Sequence, residues 1–92
     1  MTSKKIIKEW IKKAEEDYNF AVDNLKEKSK FYSHICFHFH QSAEKFLKAY
    51  IIAKNLEFKK IHDLVELLRI CENNDKSFYE LREECEFLNP FY

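Results

Sequence analysis

Glycine is absent from the 92 residues, and proline occurs once, at Pro90. Two-residue hairpin turns need positive backbone φ angles, which glycine supplies most cheaply, so a glycine-free chain is poorly suited to a hairpin-rich sheet. The same absence removes every motif built on a glycine loop, including the P-loop, the dinucleotide fingerprint and the GxSxG nucleophile elbow. Long apolar runs are missing too. The opening MTSKKIIKEW has charges on both sides of its short apolar pair, and no segment reaches the length of a signal h-region or a membrane span, so a cytoplasmic, non-membrane protein is expected. Cys36, Cys71 and Cys85 are odd in number and widely spaced, with no CxxC pair. Neither a disulfide framework nor a zinc knuckle follows from them, and reduced, buried thiols are expected.

Net charge is also lacking: 16 Lys and Arg balance 16 Asp and Glu, so the totals draw the chain toward neither nucleic acid nor an anionic membrane. The distribution is uneven. Residues 1–62 hold 13 Lys against 8 acids (+5), whereas residues 63–92 hold one Lys and two Arg against 8 acids (−5).

What is present is enough apolar surface to collapse. Hydrophobic residues make up 46% of the chain and aromatics 16%, which argues against disorder. The length fits one domain, residues 1–92, whose small core would gain from self-association. Ile7, Trp10, Ile11, Ala14, Tyr18, Ala21, Val22 and Leu25 recur at steps of three and four and predict a first helix, capped by Thr2 or Ser3 and ended by the polar KEKSK at 26–30. A second, central helix is predicted from about Tyr32 to Lys54. Its buried stripe would be Ile35, Cys36, Phe39, Ala43, Phe46, Leu47, Tyr50 and Ile51. Leu64, Leu67, Leu68 and Cys71 mark a short third helix stopped at Asn73 and Asn74. A fourth would open with a capping box at Ser77 and Glu80 and carry Phe78, Leu81, Cys85 and Leu88 up to Pro90. The expected fold is an all-α, up-and-down bundle of about four helices.

Opposite the predicted core face of the second helix, His34, His38, Gln41, Lys45 and Lys48 fall at steps of four, three, four and three and share one side. Imidazole, amide and ammonium groups offer donors suited to phosphate oxygens and base edges, so the stripe is a candidate nucleotide or RNA surface; the bland alternative is a solvated helix face. His34 and His38 have the spacing of a helical metal pair, yet a third ligand is missing and no metal is expected. The cysteines lie on core stripes, which argues against a thiolate nucleophile. Asp17 and Glu44 are single acids at helix margins, a position more typical of ion-pair partners than of catalysts. Phe37, Ile52, Ile6 and Phe20 lie off the core stripes and fit a contact with a second subunit.

The segments W10…A14EEDYNFA21, C36FHFHQSAEKFLKAY50 and K60IHDLVELL68 resemble prokaryotic HEPN domains (higher eukaryotes and prokaryotes nucleotide-binding). The most specific part is H38FHQSAEKFLKA49 followed by H62DL64. The resemblance implies a bundle of four or five helices that forms a homodimer and acts with a minimal nucleotidyltransferase, as a toxin–antitoxin or nucleotide-handling pair. It points to His38, Gln41, Lys45, Lys48, His62 and Asp63 as nucleotide- or RNA-contacting residues, with no cofactor. Many HEPN proteins are metal-independent ribonucleases with an Arg-x(4–6)-His motif. Here four to six residues after Arg69 lead to Asn74, Asp75 or Lys76, and after Arg82 to Phe87, Leu88 or Asn89. The nuclease motif is therefore absent, and catalytic residues are unassigned. Two alternatives follow: a ribonuclease toxin using His38 or His62 in an atypical site, and a non-catalytic helical interaction module in which His62 and Asp63 cap the third helix and Glu44 and Lys45 pair with neighbouring helices. Relatives continue past a segment like LNPFY into an Arg-Tyr-Pro stretch, so the chain reads as a shortened or divergent member.

Overall fold

The computed structural model describes residues 4–27 and 30–92, and every regular element among them is helical. Four α-helices follow in order: α1 Lys4–Lys26, α2 Tyr32–Ala53, α3 Leu64–Asn74 and α4 Arg82–Leu88, with 3₁₀ turns at Lys76–Leu81 and Asn89–Phe91. The expected all-α bundle is what the chain adopts. Thr2, Ser3 and the middle of the KEKSK connection lie outside the described residues.

Helices α1 and α2 run antiparallel. Trp10 lies beside Lys48, Ala14 beside Ser42, and Phe20 beside His38. Small residues allow the two backbones to approach. Ala14 and Ala21 on α1 are fully buried, as are Ser42 and Ala49 on α2, each pair seven residues apart and so on one face of its helix. The Ser42 hydroxyl donates to the Ala14 carbonyl at 2.8 Å, so the seam buries no unmatched hydroxyl.

On its other side α2 meets the apolar core. Leu47 and Ile51 pack with Leu64, Leu67, Leu68, Ile70 and Cys71 of α3 and Cys85 of α4. Each fully buried leucine contributes about 1.5–3 kcal/mol of transfer free energy. Burial of α2 on two sides corrects the single-stripe reading. Ser42 and Ala49, outside the predicted stripe, are interior, while Phe46, inside it, is substantially exposed.

Helix ends explain how a glycine-free chain turns. Asn55 adopts φ 58°, and its N–H donates to the Ile52 carbonyl while the Leu56 N–H reaches back to Ile51. This is a Schellman ending with asparagine in the left-handed position that glycine would otherwise take. Leu56 then folds onto the core cluster. The Ser77–Glu80 capping box does not form. Asp75 takes the cap instead, accepting from the Ser77 N–H at 3.0 Å and the Ser77 hydroxyl at 2.7 Å, and it starts a 3₁₀ turn in place of the α-helix.

Candidate functional site

Two carboxylates organise the polar side chains of α2, one from each flank. On the α1 side Asp17 accepts a hydrogen bond from His38 Nδ1 at 3.1 Å, and its other oxygen is ion-paired with Lys45. All three groups are mostly buried in the seam. Seven residues separate His38 from Lys45, two turns that set both side chains on one face of α2, where a single acid from α1 can hold both.

The second centre is Glu44, only 5% exposed. Lys48 Nζ donates to Oε2 at 2.8 Å, and His62 Nδ1 donates to the carboxylate at 3.0 Å. Burial by itself pushes the Glu44 carboxyl up, but the hydrogen bonds and positive charge of Lys48 and His62 outweigh it and hold the group below its ordinary value near 4.5. The Lys48 ammonium also stands over Trp10, 5.8 Å from the ring centroid, and 6.0 Å from that of Phe58. His40 completes the cluster. It is fully buried, its Nδ1 donates to the Leu88 carbonyl at 3.0 Å, and its Nε2 lies 3.6 Å from Glu44 without a hydrogen bond.

The segment before α3 ties this cluster to the end of the chain. Asp63 caps α3 by accepting from the N–H groups of Val65 and Glu66, and it also accepts from Asn89 Nδ2 at 3.1 Å. Asn89 Oδ1 in turn accepts from the Leu64 N–H at 2.8 Å. The His62 ring, 48% exposed, stacks on Tyr92 at 3.8 Å between centroids.

The sequence model of the HEPN domain matches residues 7–92. The chain belongs to the HEPN family. No curated protein and no solved structure matches it. Membership carries a nucleotide- or RNA-related role in general terms.

Within this HEPN domain the candidate binding residues separate into two groups. His38 and Lys45 meet at Asp17, whereas Lys48 and His62 meet at Glu44. Gln41 is half-buried between them on α2, and Asp63 is a helix cap. The stripe is thus no solvated face: Lys48 is buried and His38 and Lys45 line a helix seam, while His34 alone of the five is exposed. The sequence marks Glu44 only as an ion-pair partner at a helix margin and gives His40 no role; their i,i+4 spacing was the one available signal that brings them together.

Other reactive groups are remote from these centres or inert. Arg69 is held by Glu66, and Arg82 by Glu72 with its guanidinium 5.5 Å from the Tyr79 ring. Burial pushes the Cys71 thiol up to about 12 and that of Cys85 to about 11, so neither is a nucleophile at neutral pH. Among the described residues no three His, Cys, Asp or Glu side chains group as metal ligands, and no helix is long and apolar enough to cross a membrane. An apolar groove of about 420 Å³ runs between α2 and α4, walled by Phe46, Tyr50, Phe78, Leu81 and Leu88.

Proposed function

We propose that this HEPN domain is a non-cleaving, homodimeric partner of a minimal nucleotidyltransferase, in a toxin–antitoxin or nucleotide-handling pair, and that it contacts nucleotide or RNA. One observation carries the non-cleaving part: the donors of the family motif are engaged within the fold. His38 and Lys45 are matched to Asp17, and Lys48 and His62 to Glu44. A transferring phosphate would have to displace a carboxylate to reach them, and no arginine accompanies either histidine. Ribonuclease chemistry asks instead for a donor poised on the developing charge and an imidazole open to a proton.

Association is supported by the apolar surface left uncovered. Phe87 is 65% exposed, and Phe46 and Leu81 are well exposed along the same α2–α4 side. Aromatic side chains of this kind anchor protein interfaces. Co-expression with the proposed partner, a minimal nucleotidyltransferase, followed by pull-down at micromolar concentration, is expected to recover a complex. Failure to associate in both tag orientations counts against the pairing.

One observation favours the ribonuclease alternative. The half-exposed His62 ring is oriented through Nδ1 by a buried carboxylate, which is how a general base is commonly held. Incubation of mixed RNA in EDTA with wild type and His62→Ala separates the two readings. The proposal expects no cleavage by either protein, whereas cleavage lost specifically in His62→Ala would favour the enzyme.

A further inference from the structure

The apolar groove between α2 and α4 extends beyond its deepest part. Toward Phe39 it runs on, past Glu84 and Leu88, into an open cleft of about 560 Å³ whose walls add Glu83 and Phe87. Its α2 wall is Phe39, Ala43, Phe46 and Tyr50, at steps of four, three and four, which form one stripe of the helix. From Phe39 to Tyr50 that stripe covers about 16 Å of axis, or three turns, at 1.5 Å per residue. On the facing wall Leu81, Glu84 and Leu88 repeat the same steps. A trough of that length between two helices has the shape into which a third helix packs, anchored at every third or fourth residue.

The trough is apolar along its length, and its charge has one sign. Phe46, Leu81 and Phe87 are well exposed in it, an apolar strip of the kind that marks a partner site. No lysine or arginine lines either part, whereas Glu83 and Glu84 do. Both carboxylates are exposed, and among the described residues neither has an ion-pair partner. Arg82, the one cation on α4, is held by Glu72. Asp17 and Glu44 are matched within the chain; Glu83 and Glu84 are not.

We infer that this groove holds a basic amphipathic helix of a partner protein, its apolar stripe seated on Phe46, Leu81 and Phe87 and its lysines or arginines facing Glu83 and Glu84. An apolar centre with a charged rim is the anatomy of a protein interface. Opposite charge at the rim steers the right segment in and rejects acidic rivals. A second copy of this chain matches the apolar strip but not the acids, because a twofold contact applies one patch to itself and brings like carboxylates together. Nor does α1 of a second copy supply the segment, since Ile6 is the one well-exposed apolar side chain among the lysines of its first three turns. An anionic membrane surface is repelled by the same acids. The inference rests on the association reading above and specifies the segment that docks.

The test is fluorescence anisotropy of the full chain with two labelled helical peptides of about 18 residues. Both carry leucine at every third or fourth position, with lysine elsewhere in one and glutamate elsewhere in the other. Wild type is expected to prefer the basic peptide on the order of tenfold, as two or three exposed ion pairs allow. Phe46→Ala is expected to weaken that binding by roughly tenfold, and Glu83→Gln combined with Glu84→Gln to lose most of the preference between the peptides. All three side chains are exposed, so the variants keep the fold, which circular dichroism verifies. Equal binding of the two peptides by wild type would overturn the inference. So would a basic peptide that responds to the glutamine variant but not to Phe46→Ala, because charge alone then holds it outside the groove. A Phe46→Ala effect confined to sedimentation of the chain by itself assigns the groove to a second copy and likewise overturns the inference. If neither peptide binds while the chain still associates with itself or with a nucleotidyltransferase, the inference fails and the association reading stands; if no association of any kind is seen, both fail.

Discussion

Glu44 shows how one side chain can serve packing while lying inside a family motif. Its carboxylate is buried with Lys48 and hydrogen-bonded to His62, so removing it strands an ammonium in the interior. Glu44→Gln is expected to cost about 3 kcal/mol in urea unfolding, and adding Lys48→Met to recover much of that loss, since an apolar replacement leaves no buried charge unmatched. The pH dependence follows from the same geometry. A carboxyl held below its ordinary 4.5 in the folded state contributes stability above that value and loses it as pH falls through the folded pKa. The melting temperature is therefore expected to hold down to about pH 5 and drop below it, with a shallower drop in Glu44→Gln. Asp63 was legible in the sequence as a helix cap, because a short acceptor just before an apolar run has a local signature. Glu44 was legible as an ion-pair partner, but its burial was not, because a one-stripe reading of α2 leaves its face outside the core, and burial on the second face comes from elements remote in sequence.

Helix ends tell a similar story one scale up. The four predicted helices are present because their apolar spacing is local information, and α3 in particular begins at Leu64 and ends at Asn74 as expected. The fourth was read too long. Asp75, two residues before Ser77, offers a closer acceptor and diverts Lys76–Leu81 into a 3₁₀ turn. The turn after α2 depends on Asn55 at φ 58°. Asn55→Gly is expected to be neutral or slightly stabilising, whereas Asn55→Val places a branched side chain in the left-handed region and is expected to cost about 1–2 kcal/mol in thermal or urea unfolding. Asp63→Ala is expected to cost about 1 kcal/mol or more by the same measurements, since it removes the α3 cap and also the partner of Asn89.

At the scale of the whole molecule, the bundle presents two unlike sides. The α1–α2 seam carries matched charges, Asp17 with His38 and Lys45, whereas the α2–α4 side is apolar and belongs to the acidic end of the chain. This asymmetry was visible in the sequence only as a charge difference between residues 1–62 and 63–92; which side faced solvent depended on the pairing of α2 with two neighbours. The central claim is that the family motif fastens this HEPN domain together while its activity is exerted through association. Leu81→Arg on the exposed α2–α4 side is expected to leave the melting temperature within a degree or two of wild type while weakening self-association. The most direct measurement is sedimentation velocity of the wild-type chain at micromolar concentration, alone and mixed with a minimal nucleotidyltransferase, the partner proposed above. The account expects a species of twice the chain mass alone and a faster-sedimenting complex in the mixture; a monomer whose boundary the nucleotidyltransferase leaves unmoved would contradict it.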